Sequence, residues 1–166
     1  MATLLLKKSY RHKDLKEIKF HDLWNSHGVF TTMRVLGKPA RILFFKSHIN
    51  NLFKSLKVYK IKKKSIKKNI LKLIKINISN KKKYDHLFRV AANNKMISIS
   101  LRKRLKSKLN FSLKLINYKR FDPEYKNLKY KKILTYLKKI DTTKSDIALF
   151  KDNNILETGT SNLLFF

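Results

Sequence analysis

The stretch Ile155-Leu156-Glu157-Thr158-Gly159-Thr160-Ser161-Asn162-Leu163-Leu164 constrains the chain more than any other. An apolar pair leads into one acid, a turn of small polar residues follows, and an apolar run closes the stretch. A carboxylate is therefore set where the chain is about to re-enter a core. The sequence has only 10 acidic residues against 41 basic ones, so an acid in that position calls for a reason. One reading is a hairpin turn with a solvated Glu157. The other is a buried carboxylate that must meet a cation. The residues upstream bear on the choice.

Asn127-Leu128-Lys129-Tyr130-Lys131-Lys132-Ile133-Leu134-Thr135-Tyr136-Leu137 opens a helix just after Lys129. Ile147 to Phe150 then reads as a strand. Asp152-Asn153-Asn154 is a tight turn, and Ile155 begins a second strand. By composition Lys129 is an ordinary solvated lysine among Lys126, Lys131 and Lys132.

The order lysine, helix, strand, turn, strand, glutamate, small-residue turn resembles the class IV aminotransferase family, the fold-type IV pyridoxal-phosphate enzymes. Branched-chain aminotransferases, D-amino-acid transaminases and aminodeoxychorismate lyases belong to it. The resemblance implies pyridoxal 5'-phosphate as cofactor and Lys129 as the Schiff-base lysine. It further implies Glu157 as partner of the ring nitrogen, with Thr158, Gly159, Thr160, Ser161 and Asn162 orienting hydrogen bonds along the ring. That chemistry needs such a pair. The amine must be neutral part of the time to attack the cofactor, and the ring withdraws electrons only while its nitrogen keeps a proton. Leu134 stands five positions after Lys129, where branched-chain aminotransferases often carry Tyr, a slight mark against that subgroup. These residues do not separate transamination from lyase chemistry.

Earlier in the chain, Ala2–Leu6 reads as a short strand. Gly28-Val29-Phe30-Thr31-Thr32-Met33-Arg34-Val35 reads as another, returning through Leu36-Gly37-Lys38-Pro39 to a strand over Ala40–Phe45. This hairpin also resembles the family's first one, with Thr31 in place of its Glu. Ser47 is placed as the N-cap of a helix over His48–Tyr59, with Leu52, Leu56 and Tyr59 on one face. Ser65 opens a second helix through Ile66, Ile70, Leu73 and Ile74. His48-Ile49-Asn50-Asn51-Leu52 matches a family segment whose arginine grips the cofactor phosphate. Asn51 stands at that position, and Lys54, one turn on, supplies a point charge instead. His86–Ala92 and Met96–Leu101 form a hairpin across Asn93-Asn94-Lys95. Ile97 and Ile99 alternate with Ser98 and Ser100, which suggests one buried and one wet face. A family strand of this kind carries an arginine, so the resemblance makes Arg89 a candidate for a substrate carboxylate. As a lone strand cation it reads as solvated.

A formal net charge of +31 admits a rival reading: a basic RNA-binding or ribosomal-type protein whose lysines contact phosphates. Arginine, the usual bidentate reader of bases and phosphates, occupies only Arg11, Arg34, Arg41, Arg89, Arg102, Arg104 and Arg120; the other basic residues are lysines. Abundant Lys, Asn and Ile together are what AT-rich coding produces. Cysteine is absent, which removes disulfides and thiolate metal sites. The five histidines show no ligand spacing, and three glycines make no phosphate loop. The first eight residues are too short an apolar run for a signal peptide, and nothing approaches a membrane span. These features read as a soluble, cytoplasmic chain.

The expected fold class is α/β (α+β): residues 1–120 form a small N-terminal sheet with two helices, 121–127 a linker, and 128–166 the start of a mixed cofactor-binding domain. The sequence stops at Leu163-Leu164-Phe165-Phe166, inside an apolar strand. The expectation is a fragment of a longer enzyme, inactive or poorly folded by itself. The full protein would be a homodimer acting on an amino acid or a chorismate-derived substrate.

Overall fold

The computed structural model describes residues 4–62 and 64–160. The expected apolar strand over 163–166, together with Ser161 and Asn162, lies outside them. The described residues form two compact units: 4–104 with 125–129, and 105–124 with 130–160. This differs from the expected division at residues 105–120 and 125–129. Strand pairing explains the first difference, because the segment after residue 104 pairs with the later strands.

The first unit is a six-stranded antiparallel sheet with two helices. In chain order it contains β1 (Leu4–Arg11), β2 (Glu17–Ile18), β3 (Gly28–Gly37), β4 (Arg41–Ile42), α1 (Phe45–Val58), α2 (Ile66–Asn77), β5 (Tyr84–Asn93) and β6 (Met96–Lys103). The strands lie in the order β2-β1-β6-β5-β3-β4. Period-two alternation builds the core face. Val29, Met33 and Val35 of β3, Phe88 and Val90 of β5, and Ile97 and Ile99 of β6 are buried against Leu52 and Leu56 of α1 and Ile70 and Leu73 of α2. The lysines of both helices fall on the opposite, solvated faces.

Two expectations change at the start of α1. The strand predicted over Ala40–Phe45 is only Arg41–Ile42, and Ser47 does not cap the helix. Phe44 is the cap residue, in the left-handed region at φ 50°, and it turns the chain straight into α1. The serine face of β6 also differs from its expectation of wetness. Ser98 is fully buried, its hydroxyl 2.7 Å from that of Ser9 on β1, and Ser9 in turn meets the backbone of His21. The loop before β3 covers that face of the sheet.

Residues 125–129 join this unit by pairing with the start of β3. Asn127 bridges Val29, the Leu128 amide donates to Gly28 O at 2.9 Å, and the Asn25 amide donates to Leu128 O at 2.8 Å. The Leu128 side chain is fully buried. Gly28 makes this seat possible: a Cβ there would lie 2.5 Å from Ala92 O and 2.6 Å from Leu128 Cδ1.

The second unit contains β7 (Ser112–Asn117), α3 (Lys131–Leu137), β8 (Ser145–Lys151) and β9 (Asn154–Thr158). Its sheet runs β7-β8-β9, parallel between β7 and β8 and antiparallel between β8 and β9. Ile133 of α3 packs on Ile147 and Leu149 of β8, with Ile116 and Tyr130 alongside. The β8–β9 hairpin closes through Asp152 and Asn153, both left-handed at φ 51° and 60°, as a two-residue turn requires.

Replacing Gly28 by Ala should therefore cost about 1–3 kcal/mol, the usual penalty for overpacking a tight contact. Urea unfolding should show a lowered midpoint with an unchanged slope.

Candidate functional site

The residues singled out in the sequence fall on both units, and each group is described within its own unit. In the first, Lys129 ends the segment seated on β3. Its backbone amide donates to Asn127 Oδ1 at 3.1 Å, and its side chain is exposed. The seat is specified by Leu128 and Gly28 rather than by any property of the lysine.

His48 lies in the first turns of α1, its Nδ1 3.2 Å from Thr31 Oγ1 on β3. Burial, and then the charge of Lys126, holds its imidazole below the usual histidine range. Asn51 and Lys54 follow on the exposed side of α1. With Asn50, Phe53 and Lys67 they line an open cleft of about 610 Å³ between α1 and α2. Asn51 offers amide donors and Lys54 an ammonium, in a cleft whose lining contains no acid.

Arg89 departs from its reading as a solvated strand cation. On β5 it points to the sheet face away from α1, with its guanidinium carbon 4.2 Å from the ring centre of Trp24. Nη2 donates to Asp22 O at 2.7 Å. Nε is buried and has no hydrogen-bond partner among the described residues. Burial pushes the guanidinium down to about 10, opposed by the charge of Asp22. Phe30 stands edge-on to Trp24 at 5.0 Å, so an aromatic wall adjoins a buried donor with capacity left over.

The acid lies in the second unit. Glu157, opposite Leu149 in the β8–β9 ladder, is not simply solvated. Arg120 Nε donates to its Oε1 at 2.8 Å, with side-chain exposures of 6% for the arginine and 25% for the acid. Arg120 also donates to Pro123 O and stands 5.7 Å from the ring centre of Tyr130. Oε2 of Glu157 accepts no hydrogen bond among the described residues. The carboxylate is thus gripped on Oε1, with no partner for Oε2 among the described residues.

The turn after Glu157 is fastened separately. Tyr130, the residue after Lys129 in the chain, donates its hydroxyl to Gly159 O at 2.9 Å. Its phenol is pushed up to about 12, chiefly by burial, and remains a donor. Asp146 is fully buried on β8; its Oδ2 accepts from the Thr160 amide at 2.8 Å and from Thr160 Oγ1 at 2.9 Å. Gly159 donates to Ile147 O, and a Cβ there would meet Asp146 Oδ1 and Ile147 Cγ1, both at 2.8 Å. Arg120, Tyr130 and Asp146 are the residues that sequence reasoning missed. The only signal for Arg120 was its being one of seven arginines in a lysine-dominated chain; for Asp146, an acid opening a buried strand. Among the described residues no group of three or more His, Cys, Asp or Glu gathers as a metal site, and no helix is long and apolar enough to cross a membrane.

His48 carries a pH prediction. Its folded-state value lies below the ordinary histidine value of 6.5, so the unfolded chain binds the proton more readily. Its stabilising contribution is complete above that value and is lost as pH falls through it. Between about pH 7.5 and about pH 5.5 the urea midpoint should fall, and His48→Gln should flatten part of that decline. An equal decline in the variant would contradict the assignment.

Comparison with known proteins follows the same lines. The family described as amino-transferase class IV matches residues 28–166. No curated protein sequence matches the chain. Among solved structures, the branched-chain aminotransferase of Thermoproteus uzoniensis with norvaline superposes with a TM-score of 0.65 at 14% identity, over 92% of this chain and 62% of that one. A hypothetical aminotransferase from Mycobacterium tuberculosis in a PLP-bound form gives 0.57 at 10% identity, over 92% and 65%. A putative 4-amino-4-deoxychorismate lyase from Legionella pneumophila gives 0.55 at 18% identity, over 80% and 56%. These likenesses establish the fold, and the chain spans less than two thirds of the length of those structures. With its fold and most of its length matched, the chain belongs to the class IV aminotransferase family.

Proposed function

We propose that the protein is a pyridoxal-phosphate enzyme acting at the amino group of a small substrate, as a transaminase on an amino acid or as an aminodeoxychorismate-type lyase. The observation that carries the reading is Glu157: a carboxylate with Oε1 held by a nearly buried arginine and Oε2 left as an acceptor. A solvated hairpin acid has no need of such a partner.

The donor chemistry present fits the cofactor. Lys129 supplies the amine, Glu157 the acid for the ring nitrogen, and Asn51 with Lys54 amide and ammonium donors for the phosphate. Thr158, Gly159 and Thr160, with Ser161 and Asn162 next in the sequence, are the residues that would serve the ring side. Thr160 spends its amide and hydroxyl on Asp146, so its contribution is to fix the turn rather than to touch the ring. When bound, pyridoxal phosphate supplies an electron sink for bonds at the substrate's α-carbon. Lys129 Nζ would hold the cofactor and would be the general base for the α-proton. Glu157 Oε2 would accept a charge-assisted hydrogen bond from the protonated ring nitrogen. Arg89 is the candidate for the substrate carboxylate, since its Nε lies beside Trp24 with no hydrogen-bond partner among the described residues. A homodimer is the assembly this family reading implies. Transaminase and lyase remain alternatives of one site, decided by which bond at the substrate breaks.

The test uses the full-length gene product. Addition of pyridoxal phosphate should give a yellow protein with a visible band displaced from that of free cofactor. Lys129→Ala should abolish the displaced band while far-ultraviolet circular dichroism stays unchanged. Salt-dependent retention on single-stranded RNA, with no displaced band in the wild type, would overturn the reading in favour of a lysine-driven nucleic-acid binder.

A further inference from the structure

We propose that Arg120 is a positioning residue for the ring-side acid: it grips Glu157 Oε1 so that Oε2 is presented, in one orientation, to the protonated ring nitrogen of the cofactor. The proposal rests on the pyridoxal-phosphate reading of the site and assigns a role to a residue outside the lysine–glutamate pair.

Three features support it. Arg120 is nearly enclosed, at 6% exposure, and its Nε–Oε1 contact is short at 2.8 Å. A guanidinium this enclosed is seldom a surface ion pair; removing one partner would strand a charge. Next, Arg120 is itself fixed. It donates to Pro123 O within the Asp122-Pro123 bend and faces the Tyr130 ring at 5.7 Å. A cation held from other sides transmits its position to the acid it grips. Finally, Tyr130 and Asp146 anchor the turn just beyond Glu157 without touching the acid's oxygens, Tyr130 through Gly159 O and Asp146 through Thr160. The backbone on one side of Glu157 and the carboxylate itself are therefore fastened by different residues, and the acid's orientation falls to Arg120 alone among the described residues.

The electrostatic consequence is directional. The guanidinium occupies Oε1 and leaves Oε2 as the oxygen turned to the ring nitrogen. At the same time the guanidinium offsets part of the acid's charge, which keeps the acid from pairing with the many surface lysines. A flexible glutamate without this grip would sample several rotamers, and each would meet the ring differently.

The experiment compares wild type, Arg120→Met, Arg120→Lys, Glu157→Gln and the Arg120→Met/Glu157→Gln pair in the full-length holoprotein. One readout is the pH titration of the cofactor's visible absorbance, which follows the ring proton. A second is the dissociation constant of pyridoxal phosphate. A third, independent of the cofactor, is the urea midpoint of the cofactor-free protein. Arg120→Met should weaken cofactor binding by about ten- to a hundredfold, the worth of one charge-assisted hydrogen bond. It should shift the absorbance titration in the same direction as Glu157→Gln, and the double variant should shift no further. Arg120→Lys should restore part of both effects, since an ammonium still meets Oε1. If Arg120→Met lowers the urea midpoint but leaves the absorbance titration and the dissociation constant at their wild-type values, Arg120 is structural only and the proposal is wrong. A wild-type protein that binds no pyridoxal phosphate would overturn the underlying reading and this proposal with it.

Discussion

Everything proposed for the amine depends on a glycine with no room beside it. Gly28 opens β3 at the point where the chain returns one hundred residues later, and the absent Cβ lets Leu128 sink fully into the sheet. Backbone pairing on both sides of Leu128 then leaves little freedom in where residue 129 begins. The position of the lysine is thus set by packing and main-chain hydrogen bonds, while the lysine itself contributes only its amine. Under the proposed function, this is how one amine of a lysine-rich chain would be distinguished from its neighbours.

The acid side follows a different logic. Glu157 depends on a long-range ion pair to Arg120, and the turn beyond it depends on a buried carboxylate, Asp146, that accepts from both donors of Thr160. Two carboxylates eleven residues apart in the sequence are therefore held differently. One is fully enclosed and holds backbone; the other is partly open and pairs through one oxygen with Arg120. Burial sets the division, since an acid at no exposure must be satisfied internally whereas one at 25% need not be.

Much of this architecture was legible in the sequence because it is periodic. Val29, Met33 and Val35 alternate, Leu52 and Leu56 recur at helical spacing, and Asp152-Asn153 announces a turn that needs left-handed residues. What escaped was non-local or geometric. Phe44 adopting a left-handed cap cannot be read from an aromatic side chain, and it shortened the predicted strand over 40–45 to two residues. Ser98 and Ser100 read as wet because they are polar, but the loop carrying His21 and Asp22 covers their face. Arg89 read as a surface cation because its partner is a tryptophan ring sixty-odd positions away. Arg120 and Glu157 lie in separate strands' surroundings with no periodic relation, so no spacing could pair them. The resemblance carried by the Lys129 and Glu157 motifs reached the family that the matched profile supports. Asn51, which the resemblance sets against the family's arginine, lines the cleft of α1 together with Lys54, three residues on.

The account turns on one amine being chemically unlike the other lysines. Borohydride reduction of the full-length protein at stoichiometric pyridoxal phosphate, followed by peptide mapping, measures this directly. The account predicts a single phosphopyridoxyl adduct on the peptide containing Lys129. Adducts scattered over the lysines of α1 and α2, or one dominant adduct elsewhere, would contradict it.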